Sequence, residues 1–224
     1  MKKTILFCGI LVTMLQTAFA QNKTNLSLQV SAAAAANRKQ LAGYVWTRTV
    51  QVFVEGTLKN TVVSSLSIGP DGKMVTTAVS STQTDPPPTR GIRGDIARKK
   101  IAEIKAYVDD AVQVSMGYLY MSKGKMVDYF DAAGISQAGN TITVKGANVN
   151  KPNDQLTMQV MAGTLAYISQ SFSSTVTSGD AISGTANYKT FSNGLTAFND
   201  GELDLPAKKM KLMISNTNYA KKLQ

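Results

Sequence analysis

Carboxylates, hydroxyls and cations are all this chain has for chemistry. Its 224 residues include no histidine, and its one cysteine, Cys8, lies inside an apolar run near the N-terminus. Serine–histidine and cysteine–histidine catalysis, histidine proton transfer and the usual zinc ligand sets are therefore excluded. In the helical stretches the acidic residues form two close pairs, Asp109-Asp110 and Asp128-x-x-Asp131. Adjacent helical residues project about 100° apart, so the first pair does not converge on one substrate. The second pair can share a helix face, either as paired carboxylates or as ordinary solvated surface. Asp71-Gly72 and Asp200-Gly201 read as turns, without the alternating oxygen ligands of a calcium loop. No phosphate loop or dinucleotide fingerprint is present. The expectation is a protein that is not an enzyme, with no catalytic residues, no metal and no cofactor.

What remains is apolar surface with one cation in it. Met116, Tyr118, Leu119, Tyr120 and Met121 crowd the end of a helical stretch, and Met126, Tyr129 and Phe130 follow. Such a surface either adapts to a greasy ligand or fills an ordinary core. Arg48 interrupts the apolar parity of Tyr44, Trp46, Val50, Val52 and Val54. It either faces a cavity and meets an acidic ligand group, or sits at the sheet edge or pairs with Asp109 or Asp110. Trp46, Arg48, Val50, Met116, Tyr118 and Phe130 are the expected ligand-binding residues.

Those residues need elements to position them. From Arg90 to Gly134 apolar residues recur at helical spacing (Ile92, Ile96, Ile101, Ile104, Val108, Val112, Leu119), which predicts an amphipathic helix. Asp95 is a candidate N-cap, Ser122-Lys123-Gly124 a break, and Gly134 a C-cap after a second, shorter helix. Asn25 to Gly43, with its alanine run, predicts an N-terminal helix. Period-two alternation predicts three strands joined by short turns over Tyr44 to Ser80. It predicts about six more from Thr141 to Asn216. With apolar residues on one parity only, the sheet should be antiparallel and covered on one side. The expected fold class is α+β: a large curved antiparallel sheet (an incomplete barrel of about nine strands) covered by an N-terminal helix and central helices.

Lys2 and Lys3, the apolar run Ile5 to Leu15 and Ala18-Phe19-Ala20 have the form of a secretory signal peptide cleaved after Ala20. The apolar run is shorter than the roughly 20 residues that span a bilayer. The expected organisation is a signal peptide at 1–20 and a single domain at 21–224, with no transmembrane segment in the mature chain, periplasmic or secreted. Cys8 precedes the lipobox position, so no lipid anchor is expected. Removing Lys2 and Lys3 lowers the formal charge from +10 to +8. This basic balance suits an anionic envelope component or plain solubility. Nucleic acid is not an expected partner, since no recognition module of known kind is visible.

The order of helix, strands, central helices and further strands resembles the LolA/LppX-type envelope carriers. In those proteins an incomplete antiparallel barrel wraps helices and holds lipid acyl chains. The segments YVWTRTVQVFVEGTLKNTVVSSLSIGPDGK, RGIRGDIARKKIAEIKAYVDDAV and LPAKKMKLMISNTNYAKKL resemble a group of exported bacterial proteins of unknown function. The chain departs from the lipoprotein carriers in having no R-P-x-x-F-x-W-like segment and only three strands before the central helices. The resemblance implies a soluble periplasmic binding or carrier protein for an apolar ligand such as a lipid or acyl chain. The alternative is a non-catalytic structural or interaction protein of the envelope with a filled core.

Overall fold

In the computed structural model, which describes residues 23–83 and 91–222, the alternating segments form strands and the two helical stretches lie against them. Helix α1 covers residues 23–41. Three strands follow: β1 (Tyr44–Val54), β2 (Thr57–Ile68) and β3 (Met74–Gln83). Helices α2 (Gly91–Leu119) and α3 (Lys123–Ala132) come next. Seven more strands complete the sheet: β4 (Gly134–Ala138), β5 (Thr141–Ala147), β6 (Gln155–Met161), β7 (Tyr167–Thr175), β8 (Ala181–Thr190), β9 (Thr196–Leu205) and β10 (Met210–Lys221).

All described strands belong to one open antiparallel sheet in the order β3-β2-β1-β10-β9-β8-β7-β6-β5-β4. Each neighbouring pair is a hairpin-like sequence neighbour except β1 and β10, which join the two blocks, with Val50 opposite Ile214 and Val52 opposite Leu212. The fold class is therefore the expected α+β curved sheet, with ten strands rather than nine. The added strand is β4. Of its five residues Ile135 alone is better than exposed, so no apolar alternation marks it in the sequence. Gly134 opens this strand and does not cap α3, whose C-cap is Ala133.

One face of the sheet is dry. Burial alternates along β6 and through most of β8, as a sheet covered on a single side requires. Val144, Leu156, Met158, Val160, Ile182 and Leu212 pack there with Val30 of α1, Ala111 of α2 and Met126 of α3. Close strand packing is visible at Gly201, where a Cβ would stand 2.2 Å from the Thr185 carbonyl oxygen. Two helix ends differ from expectation. Helix α2 begins at Gly91, ahead of Asp95, whose carboxylate instead pairs with Arg98 one turn on. Ser122 caps α3 by accepting from the Lys125 N–H.

Helix α2 lies against β7 and β8, and its buried residues Ala111 and Tyr118 are part of the main core. Ile96 and Ile101 in its first half are exposed (63% and 45%), although the spacing from Ile101 onward placed Ile101 on the apolar face. Periodicity marks a face without saying what meets it. Among the described residues no helix is long and apolar enough to cross a membrane.

Candidate functional site: a cavity between α1, the α2–α3 junction and β1, β8–β10

Between the helices and the sheet centre lies a cavity of about 650 Å³, within the range of small-molecule sites. Its helical wall is the run Ala33–Ala36 of α1. Alanine makes this helix well and, having the smallest side chain with a Cβ, leaves room beside it. Asn37 anchors the wall to β9, donating to the Thr196 carbonyl (2.5 Å) and accepting from the Thr196 N–H (2.7 Å). Leu119, Tyr120 and Met121 close another side, at the short break between α2 and α3.

Strand β1 supplies Trp46 and Arg48. Alternate strand residues share a face, so both point into the cavity. Trp46 is buried, belongs to a small apolar cluster with Leu66 and Ile68, and stacks on Tyr219 of β10 with ring centres 5.7 Å apart. Its indole Nε1 is buried without a hydrogen-bond partner, as is the Ser31 hydroxyl on α1. An indole N–H only donates, so the fold leaves this donor unmet inside the wall.

Arg48 is half-buried. Its Nε donates to the Asn216 side-chain oxygen at 3.0 Å, and its guanidinium carbon lies 6.0 Å from the Phe198 ring centre. Asn216 donates onward to the Tyr219 hydroxyl (3.1 Å), which donates to the Phe198 carbonyl (2.5 Å). Among the described residues no carboxylate forms an ion pair with Arg48. Neither partner suggested by the sequence pairs with it: Asp109 pairs with Lys105, and Asp110 accepts from Thr177. Helix α2 carries those carboxylates to its own outer flank and the β7–β8 turn. Burial pushes the guanidinium pKa down, and nearby Tyr120 and Tyr219 partly oppose that shift.

The remaining wall is aromatic. Tyr188 of β8 sits between Tyr167 (ring centres 5.3 Å apart) and Phe198 (6.2 Å) and donates to the Gln170 side chain at 2.5 Å. Burial pushes the Tyr167 hydroxyl up to about 12. It does the same for Tyr219, despite its contacts with Asn216 and Arg48, and burial also holds Tyr188 well above its ordinary value. All three therefore stay neutral at physiological pH. Among the described residues no aspartate or glutamate lines the cavity, while Arg38, Arg48 and Lys123 do.

Of the six residues singled out from the sequence, the structure brings Trp46 and Arg48 together in this cavity. Val50 is packed against the main core. Tyr118 and Phe130 are fully buried in that core, and Met116 is 37% exposed on α2; none of these four lines the cavity. Tyr118 serves another purpose, donating to Asp154 (2.5 Å), lying 2.8 Å from the Ser174 hydroxyl and stacking on Phe172. Sequence reasoning missed Tyr167, Tyr188, Asn216 and Tyr219. They come from strands that only the β1–β10 pairing brings beside Trp46.

Among the described residues no group of three or more histidine, cysteine, aspartate or glutamate side chains could hold a metal. No protein-family model matches the chain, and no curated protein matches it either. Among solved structures the chain is similar to a DUF1329 family protein from Desulfovibrio piger, at 8% identity over 91% of this chain and 93% of that one, with a TM-score of 0.42. It is also similar to a LolA superfamily protein from Nitrosomonas europaea, at 8% identity over 87% and 93% of the two chains, with a TM-score of 0.34.

Proposed function

We propose that the chain is a non-catalytic binding protein that holds an apolar ligand, such as a lipid acyl chain, in the cavity between α1 and the sheet. The observation that carries this reading is the cavity itself: about 650 Å³ of space lined mainly by alanine, methionine, leucine and aromatic side chains. A protein whose only task is to fill its core closes such space, because interiors pack to the density of organic crystals. An open apolar volume of this size costs stability unless something occupies it. The ligand contacts belong to Trp46 and to the α1 and β8–β10 walls. Val50, Tyr118 and Phe130 support those walls from the core behind. In this reading residues 1–20 are a cleaved signal peptide, a segment outside the described residues. The single domain that follows works in the periplasm or outside the cell.

Native mass spectrometry of the protein after gentle extraction tests this directly. The expected result is a co-purifying lipid adduct that organic extraction removes and that a fluorescent fatty acid replaces. A protein that carries no adduct and takes up no fatty acid contradicts the reading and leaves the alternative, an envelope interaction protein, in its place.

A further inference from the structure

We propose that the ligand is an amphiphile with an anionic head, and that Arg48 receives that head while the aromatic and alanine walls, Trp46 among them, hold its apolar tail. This rests on the cavity being a binding site and adds the charge class of what it binds. Two independent features of the wall point the same way.

The first is charge balance. Arg38, Arg48 and Lys123 border the cavity and, among the described residues, no carboxylate does. Cations gathered around a low-dielectric space focus a positive potential into it, which attracts anions and repels cationic amphiphiles. Arg38 is already engaged, donating to the Gly72 carbonyl at 2.8 Å, so Arg48 is the deeper and more available of the two arginines.

The second is how Arg48 is held. Buried charges are normally paired, yet its protein contacts are a neutral amide on Nε and the face of Phe198. This arrangement fixes the guanidinium plane and leaves Nη1 and Nη2 with no acceptor among the described residues. A planar fork of donors with that freedom matches the two oxygens of a carboxylate or phosphate. Burial disfavours the charge on Arg48, and an arriving anion relieves that disfavour.

The test compares amphiphiles of one chain length, below their micelle concentrations, on the mature wild-type protein. The set is a fatty carboxylate, an alkyl phosphate, the fatty alcohol and the alkyltrimethylammonium, with inorganic phosphate and acetate as chainless arms. The carboxylate or the phosphate is expected to bind roughly ten- to a hundred-fold tighter than the alcohol, the trimethylammonium weakest, and the chainless anions not measurably. In Arg48→Gln the ratio of anionic to neutral affinity should fall toward one. Which of carboxylate and phosphate binds tighter identifies the head. Equal affinity for alcohol and anion in the wild type overturns the proposal and leaves apolar carriage standing. A chainless anion that binds as tightly as its alkyl partner also overturns it. If no amphiphile binds at all, both readings fail. Arg48→Gln that folds, by circular dichroism, and keeps the wild-type ratio removes Arg48 from the site.

Discussion

Replacing Asp154 by alanine is expected to destabilise the protein by about 3–5 kcal/mol, the range of losses when a buried polar network is broken. Asp154 is 1% exposed. Its carboxylate accepts from the Val149 N–H (2.6 Å), from the Asn150 and Lys151 N–H groups (both 2.8 Å) and from the Tyr118 hydroxyl (2.5 Å). Removing it strands three backbone donors at the turn between β5 and β6 and releases the helix residue that stacks on Phe172. Chemical denaturation of the variant and the wild type measures the difference.

The same network fixes a pH dependence. Burial by itself raises the Asp154 pKa. The hydrogen bonds from Tyr118 and from the Asn150, Lys151 and Val149 N–H groups outweigh that effect and hold the carboxyl below its ordinary value. A group whose folded-state pKa is depressed contributes its stability above the unfolded value, about 3.9. That contribution is lost as the pH falls through the folded value. The gap between wild type and Asp154→Ala should therefore be constant from pH 7 to about 5 and shrink below about pH 4. A gap that stays unchanged down to pH 3 contradicts a charged Asp154. Tyr118, pushed up to about 12 by burial and by its bond to Asp154, stays protonated and donates throughout.

The second large effect concerns binding. Ala34 lies on the α1 face that also carries Val30 and Asn37, and it lines the cavity. An indole placed there by Ala34→Trp displaces three or four methylene groups of a bound chain. At about 0.8 kcal/mol per buried methylene, this loses roughly 2–3 kcal/mol, or about 50- to 200-fold in affinity. Ala32 is exposed and outside the cavity, so Ala32→Trp should bind as the wild type does. Displacement of a fluorescent fatty acid reads both variants. Equal affinity in all three proteins would place the ligand elsewhere.

How much of this was legible in the sequence depended on whether the information was local. Alternation in Gln155–Met161 and through most of Ala181–Thr190 follows from one-sided burial, so those strands could be read directly, whereas Tyr44–Val54 was read from its sequence parity although most of it is half-buried on both faces. The β4 strand could not, because pairing with β5 places it in the sheet while its side chains stay mostly in solvent. Trp46 and Arg48 were singled out because a cation breaking an apolar parity is itself a local signal, and both line the cavity. Tyr188, Asn216 and Tyr219 carried no such mark. Their place beside β1 depends on closure between strands more than 150 residues apart, such as Arg48 opposite Asn216. Tyr118 shows the opposite case. It sits in a methionine- and tyrosine-rich stretch that suits a ligand surface. Its partner Asp154, 36 residues on, makes it a core anchor, and nothing within one helix turn announces that.

The α1 alanines carried two meanings, and one was read. They favour a helix, and they also leave space. Space is the property on which the proposed function turns, and it shows once the opposing wall is in place.

Trp46 is the sole tryptophan of the chain, and it lines the cavity, so its fluorescence reports occupancy without any label. Titration of the delipidated protein with a fatty acid brominated along its chain is the most direct test of the central claim. The account predicts saturable quenching of Trp46 emission at micromolar ligand, matched by the non-brominated acid as a competitor that restores the signal. Emission that declines only in proportion to added quencher, with no saturation and no competition, would contradict it.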